Sequence, residues 1–277
     1  MPIFIEPSEL YKQLKQYTIR IVDCRFDLTD PDAGRKKYET EHLVGAVYMD
    51  LEMDLSGPIE EHGGRHPLPE VQDFIQKLEK VGITNEMIVV AYDDEDHAFA
   101  SRFWWMMKYV GHENVFILNG GFRVWKEQGY ETTQIVPQYK HSTYQADINS
   151  NMIVNVEDVR KAIHDKETIL IDSRDFKRYI GEFEPIDKKA GHIPTAISFF
   201  WKNNIENGRF KKKEDLIKQF SQFDKEKKYI VYCGSGVTAC PNIAALKEAG
   251  FGNVRLYPGS WSDWISYEDN PIAVGEN

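Results

Sequence analysis

Cysteine is scarce in this chain, and the few present cannot form a scaffold. Cys24, Cys233 and Cys240 are the only three in 277 residues. An odd, sparse count makes no disulfide framework and points to a reducing compartment. There is no Cys-x-x-Cys pair and no matching histidine pair, so no zinc-type ligand spacing is present and no metal is expected. Long apolar runs are also missing, and nothing approaches the roughly 20 apolar residues of a membrane span. The opening Met1-Pro2-Ile3-Phe4-Ile5-Glu6 lacks the basic and then apolar order of a secretory leader. Positive charge is in deficit. With 34 basic against 44 acidic residues the net charge is −10, which disfavours non-specific nucleic-acid binding and adsorption to an anionic membrane. An anionic ligand would need a local basic pocket. The expectation is a soluble, cytoplasmic protein that binds neither nucleic acid nor membrane.

What is present is enough for two cores: 42% hydrophobic and 13% aromatic residues in a chain of two-domain length. The halves repeat each other. Arg20-Ile21-Val22-Asp23-Cys24-Arg25 matches Leu170-Ile171-Asp172-Ser173-Arg174, with Asp23 opposite Asp172. Glu41-His42-Leu43-Val44-Gly45-Ala46 matches Gly191-His192-Ile193-Pro194-Thr195-Ala196, and Val90-Ala91-Tyr92-Asp93 matches Ile230-Val231-Tyr232-Cys233. Gly111, Asn114, Gly120 and Trp125 recur as Gly250, Asn253, Gly259 and Trp264. Matches that keep their order mean two copies of one fold. In the first copy, strands are expected at 19–23, 87–92 and 114–118, and helices at 69–82 and 98–109. Short apolar runs alternating with helices predict an α/β fold in which each copy is a parallel sheet covered by helices on both faces. The expected division is a first domain over 1–135, a polar linker over 136–149 that wraps one domain, and a second domain over 150–277.

The run Tyr229-Ile230-Val231-Tyr232-Cys233-Gly234-Ser235-Gly236-Val237-Thr238-Ala239-Cys240 carries the chemistry. A β-branched strand ends at Cys233, a glycine-containing loop follows, and a helix then begins. Sites in such sheets lie beyond the carboxyl ends of strands. Glycines let a loop turn its N–H groups inward, and the helix start adds a positive dipole end. A thiol placed there is expected to be nucleophilic near neutral pH. A buried cysteine packed as a small apolar residue is the alternative, and the Gly-x-Gly context favours chemistry. A Cys-x5-Arg phosphatase is disfavoured, because Ala239 stands where the phosphate-binding arginine is needed. Cys240 begins the next helix; packing is the expected role, and resolving an oxidised Cys233 is the alternative. Asp23 and Asp172 are expected to tie strand ends to turns, Arg25 and Arg174 to pair with nearby acids, and His42 and His192 to anchor turns.

The duplicated halves, the Asp-Cys-Arg and Asp-Ser-Arg strand ends and the Cys-Gly-Ser-Gly-Val-Thr loop resemble the tandem-domain rhodanese-like sulfurtransferases, over roughly residues 4–272. The resemblance implies that Cys233 attacks a sulfur atom and holds it as a persulfide, with backbone N–H groups of Gly234, Gly236, Val237 and Thr238 around the sulfur and Ser235 as a hydrogen-bond donor. A thiol acceptor such as thioredoxin or a small thiol, or cyanide, then removes the sulfur, with no cofactor. Within the family the loop is similar to the 3-mercaptopyruvate group. The thiosulfate group carries Arg and Lys where this chain has Gly234 and Ser235, so thiosulfate is the alternative donor, and a non-catalytic persulfide carrier the alternative role. Arg178 matches the arginine that binds the substrate anion. Lys189 stands where the mercaptopyruvate group has a second arginine, keeping the charge without the fork. His66 matches a histidine that approaches the substrate. Asp93 replaces the cysteine in the first half, which implies a catalytically silent first domain.

Overall fold

The computed structural model describes residues 2–94 and 96–276 and divides them into two compact units. Unit 1 comprises the chain up to Gly57, Leu68–Asn149 and Glu206–Phe210; unit 2 comprises Pro58–Pro67, Ser150–Ile205 and the chain from Lys211. Each half therefore lends a segment to the other unit. The boundaries expected at 135 and 150 do not contain these two exchanges, which no periodicity marks.

Unit 1 runs through β1 (Phe4–Ile5), α1 (Pro7–Gln13), β2 (Ile19–Asp23), α2 (Ala33–Thr40), β3 (His42–Leu43), β4 (Ala46–Tyr48), α3 (Val71–Lys80), β5 (Ile88–Tyr92), α4 (Ala98–Tyr109), β6 (Val115–Leu118), α5 (Gly121–Glu127) and β7 (Thr132–Thr133). A parallel sheet has the order β1-β6-β5-β2-β4, and β3 pairs antiparallel with β7. Alternate residues of the central strands face opposite sides. Ile21, Val90, Tyr92 and Leu118 pack with Leu10 of α1, Tyr38 of α2 and Trp125 of α5. Val22, Val89 and Ala91 point the other way and are fully buried, on the side where α4 packs on β5 and β6. Burial on both sides explains why these strands read as unbroken apolar runs. The segment 136–149 lies along unit 1, held by Ser142 N to Glu79 O at 3.0 Å, Asp147 N to Val110 O at 3.0 Å and Asn149 N to Tyr109 O at 2.9 Å.

Unit 2 repeats the pattern with α6 (Val156–Ala162), β8 (Thr168–Asp172), α7 (Phe176–Tyr179) and β9 (Ile197–Ser198). The chain then forms a ribbon of β10 (Ile205–Glu206) and β11 (Arg209–Phe210), of which Glu206–Phe210 belong to unit 1, and unit 2 resumes with α8 (Lys213–Gln219), β12 (Lys228–Tyr232), α9 (Cys240–Glu248), β13 (Val254–Leu256) and α10 (Ser260–Trp264). The parallel sheet has the order β13-β12-β8-β9. Asn155 opens α6 with a reciprocal capping pair: its side chain accepts from Asp158 N at 3.0 Å, and Asp158 accepts from Asn155 N at 3.1 Å. Among the described residues no helix is long and apolar enough to cross a membrane.

The duplication extends to individual hydrogen bonds. Arg25 chelates Asp23 and donates to Glu41 O at 2.6 Å; Arg174 chelates Asp172 and donates to Gly191 O at 2.6 Å. His42 binds Tyr38 O at 2.6 Å and stacks on Tyr38; His192 binds Tyr179 O at 2.8 Å and stacks on Tyr179. These histidines anchor turns, as expected. Both arginine–aspartate pairs are almost fully buried, with side-chain exposures of 3% or less.

Replacing one member of such a pair leaves a buried charge without compensation. Arg174→Met is expected to destabilise the protein by about 3–5 kcal/mol, measured by urea unfolding; a loss below about 1 kcal/mol would show that the pair does not hold the fold.

A second expectation concerns pH. Burial pushes the Asp93 carboxyl up to about 7, against three backbone donors. Its folded value lies above its unfolded value, so its stabilisation is complete at low pH and is lost as pH rises through about 7. Burial also pulls His97 down to about 4, which gives a slope of the opposite sign below its unfolded value. Asp93→Asn isolates the first effect. The stability of wild type relative to the variant should fall between pH 5 and pH 8, by at most about 1.4 kcal/mol per pH unit. A pH-independent difference in paired urea titrations would refute it.

Candidate active site

The strand β12 ends at Tyr232, and Cys233 follows at the carboxyl edge of the unit 2 sheet. The edge is fixed from both sides: Ser173 N donates to Tyr232 O at 2.8 Å, and Trp261 N donates to Cys233 O at 2.9 Å. The loop to α9 turns at Gly236, whose φ is +77°. A Cβ there would lie 2.3 Å from Pro258 O, so the turn requires glycine. This turn brings Gly236 N to within 3.1 Å of Cys233 Sγ, where it donates to the sulfur. Val237 is buried and its carbonyl accepts from Cys240 N at 3.1 Å; Thr238 is partly buried beside it. Cys240 is fully buried and its thiol donates to Gly236 O at 3.4 Å, which fits a packed helix residue.

Two polar side chains flank the loop. Ser235 and His66, both largely buried, share a hydrogen bond of 2.8 Å between Oγ and Nδ1. Which of the two groups donates depends on the tautomer of the imidazole. His66 reaches the loop because residues 58–67 belong to unit 2. Arg178 sits in a set of buried carboxylates: Nε and Nη2 donate to Glu184 at 3.0 and 2.8 Å, and Nη2 also donates to Asp187 at 3.0 Å. Glu184 in turn accepts from Arg174 at 3.2 Å. Lys189 is exposed, and its carbonyl accepts from Trp261 Nε1 at 2.9 Å.

Two residues that pattern reading passed over also belong here. Arg65 is ion-paired with Asp187. Burial pulls its guanidinium below its ordinary value, Arg178 adds to that, and the neighbouring Cys233 acts in the opposite direction. The signal available was the glycine pair Gly63-Gly64 before Arg65-His66-Pro67. Ser260 has a φ of +56°, a conformation that L side chains rarely adopt. It accepts from Cys233 N at 3.1 Å and donates to Tyr257 O at 2.9 Å. Its signal was the change from Gly120-Gly121 in one half to Gly259-Ser260 in the other.

The counterpart in unit 1 is Asp93, after β5. Phe122 N donates to Asp93 O at 2.8 Å, as Trp261 N does to Cys233 O. The carboxylate fills its own cradle, accepting from His97 N at 2.9 Å, Phe99 N at 3.0 Å and Ala100 N at 3.1 Å. A carboxylate so saturated offers no sulfur nucleophile.

Comparison with known proteins recovers the two repeated domains. A rhodanese-like domain matches residues 6–128 and again 155–267. The chain is 37% identical over 275 residues, covering 97% of each chain, to a probable 3-mercaptopyruvate sulfurtransferase of Pseudomonas aeruginosa. It is 32% identical to a thiosulfate sulfurtransferase of Rattus norvegicus, covering 90% of this chain and 85% of that one. The crystal structure of SseA, a 3-mercaptopyruvate sulfotransferase from Escherichia coli, matches with a TM-score of 0.84 at 29% identity, covering 95% of this chain and 100% of the other. With two matched domains covering most of its length and relatives of this kind, the chain belongs to the rhodanese-like family, in its tandem-domain form.

Proposed function

We propose that this protein is a sulfurtransferase that moves sulfane sulfur from 3-mercaptopyruvate, through a persulfide on Cys233, to a thiol acceptor such as thioredoxin or a small thiol, or to cyanide. The observation that carries this reading is Cys233 Sγ at a strand end, receiving Gly236 N–H, with the arginines of one charged cluster beside it. The names of the relatives support the donor. The loop adds to that support: Gly234 and Ser235 bring no cation of their own, which suits a donor with one carboxylate and a ketone better than a small dianion. The setting proposed is the cytoplasm, and no cofactor is required. The two units act as first and second domains, the first silent through Asp93.

In this reading the Cys233 thiolate attacks the thiol sulfur of the donor. A sulfur–sulfur bond forms, the donor carbon–sulfur bond breaks, and its electron pair leaves as the enolate of pyruvate. The proton of the donor thiol passes to the enolate carbon, leaving pyruvate and the anionic persulfide. Gly236 N–H stabilises negative charge on the cysteine sulfur. The Ser235–His66 pair is placed to relay the proton. Arg178 binds the carboxylate, and Lys189 adds exposed positive charge. An acceptor thiolate then attacks the outer sulfur and restores the Cys233 thiolate, so the kinetics are double-displacement. Thiosulfate is the second donor reading, favoured by the relatives named for it at 32% and 35% identity.

Steady-state sulfur transfer with both donors in parallel tests the assignment. A kcat/KM at least about tenfold higher for 3-mercaptopyruvate, or about 1.4 kcal/mol of transition-state stabilisation, is expected. Cys233→Ser should be inactive, and intact mass measurement should find one added sulfur atom on donor-treated wild type alone. Preference for thiosulfate would establish the second reading, and a Cys233→Ser variant as active as wild type would refute both.

The relay has its own check. Ser235→Ala should slow single-turnover persulfide formation by roughly 10²-fold, the low end of general acid–base contributions, and leave the acceptor step unchanged. An unaffected first step would remove Ser235 from the proton path.

A further inference from the structure

Two guanidinium groups converge beside the residue that follows Cys233. A Cβ built on Gly234 would lie 2.9 Å from Arg65 Nη2, 3.5 Å from Arg178 Nη2 and 3.7 Å from Arg178 Nη1. The first contact is closer than real Cβ atoms show, so the Arg65 guanidinium takes the space that a side chain at 234 would fill. Its aim is set by the backbone. Gly64 has a φ of +82° and lies so close to the chain that a Cβ there would meet Gly259 O at 2.4 Å. On either side, Gly63 N donates to Asp263 Oδ1 at 2.7 Å and Arg65 N to Ser262 Oγ at 3.1 Å.

Asp187 joins the two arginines. One of its oxygens pairs with Arg65 Nη1 and the other accepts from Arg178 Nη2 at 3.0 Å. The carboxylate thus holds one arm of each guanidinium and offsets their repulsion. Among the described residues, Arg65 Nη2 and Arg178 Nη1 have no hydrogen-bond partner. Arg65 is the more open of the pair, its side chain 31% exposed against 16% for Arg178.

We propose that Arg65 is the second cation of the donor site, receiving the carboxylate of an α-keto acid donor together with Arg178 and setting the preference for carboxylated donors. This rests on the sulfur-transfer reading above and names the residue that selects the substrate class. Two free guanidinium arms on neighbouring arginines match the two oxygens of one carboxylate, each hydrogen bond charge-assisted. Lys189, at the position expected to supply the second charge, is exposed, and among the described residues its hydrogen bond is made through its backbone carbonyl. A loop with glycine and serine after the cysteine leaves the charge to come from elsewhere in unit 2. The absent side chain at 234 is what admits it.

The test compares 3-mercaptopyruvate with mercaptoacetone, which keeps the thiol and ketone and lacks the carboxylate, in wild type, Arg65→Met and Arg65→Lys. Arg65→Met should raise KM for 3-mercaptopyruvate about 10–100-fold, with kcat within about threefold, the pattern of lost ground-state binding through a charged hydrogen bond. The kcat/KM ratio between the two donors should fall by the same factor, and Arg65→Lys should recover part of it. A general structural defect would slow both donors alike. An unchanged ratio in Arg65→Met overturns the proposal. Pyruvate binding to Cys233→Ser, followed by NMR, decides the matter without turnover. Weakened binding on adding Arg65→Met supports the proposal even if wild type transfers no sulfur and the donor reading fails. Equal binding, or none to Cys233→Ser itself, overturns it.

Discussion

The buried pair between Asp172 and Arg174 is the interaction on which the rest of unit 2 depends. Arg174 meets Asp172 at the end of β8, donates to Gly191 O, and reaches Glu184. Glu184 uses its two oxygens to hold Arg178 and to accept from Ile186 N and Asp187 N, each at 3.0 Å. Asp187 then ties Arg178 to Arg65. A chain of alternating charges thus runs from the sheet edge to the residue beside Cys233. Every member gives up water, and only mutual pairing offsets that cost. The benefit is specificity of position, since each fork can satisfy its neighbours in one geometry.

Unit 1 carries the same frame with different contents. Its Asp23–Arg25 pair ends at Glu41 O. The position after β5 holds Asp93, whose own carboxylate accepts the N–H groups of the following helix start. Cys233 keeps a single short side chain, and Gly236 N–H points at its sulfur. One frame therefore supports a site that fills itself and a site left open to react. The difference lies in a few side chains and in the change from Gly121 to Ser260, which adds a hydroxyl to hold the Cys233 N–H.

Much of this was legible from sequence. Strands buried on both sides read as β-branched runs, and β2, β5 and α4 lie where periodicity places them. Cys233 and its glycines were legible because a tight turn after a strand leaves few alternatives. Arg178 was found by resemblance and lies beside the loop. Arg65 escaped because the glycine pair before it marks a turn and says nothing of which charges the arginine will meet. Its importance comes from Asp187 and Gly234, far away along the chain. Ser260 escaped because its left-handed backbone is a property of the folded loop.

The sequence by itself determined two copies of a parallel α/β fold, the strand that ends in Cys233, the glycine turn after it, and the aspartate that replaces the cysteine in the first half. These follow from local rules, since period, branching and backbone freedom act over a few residues. Only the tertiary structure decided that residues 58–67 join unit 2, that Ser235 pairs with His66, and that Arg65 shares Asp187 with Arg178. Those contacts join residues distant in sequence, and which ones meet is set by burial and by the mutual compensation of charge, which no local pattern encodes.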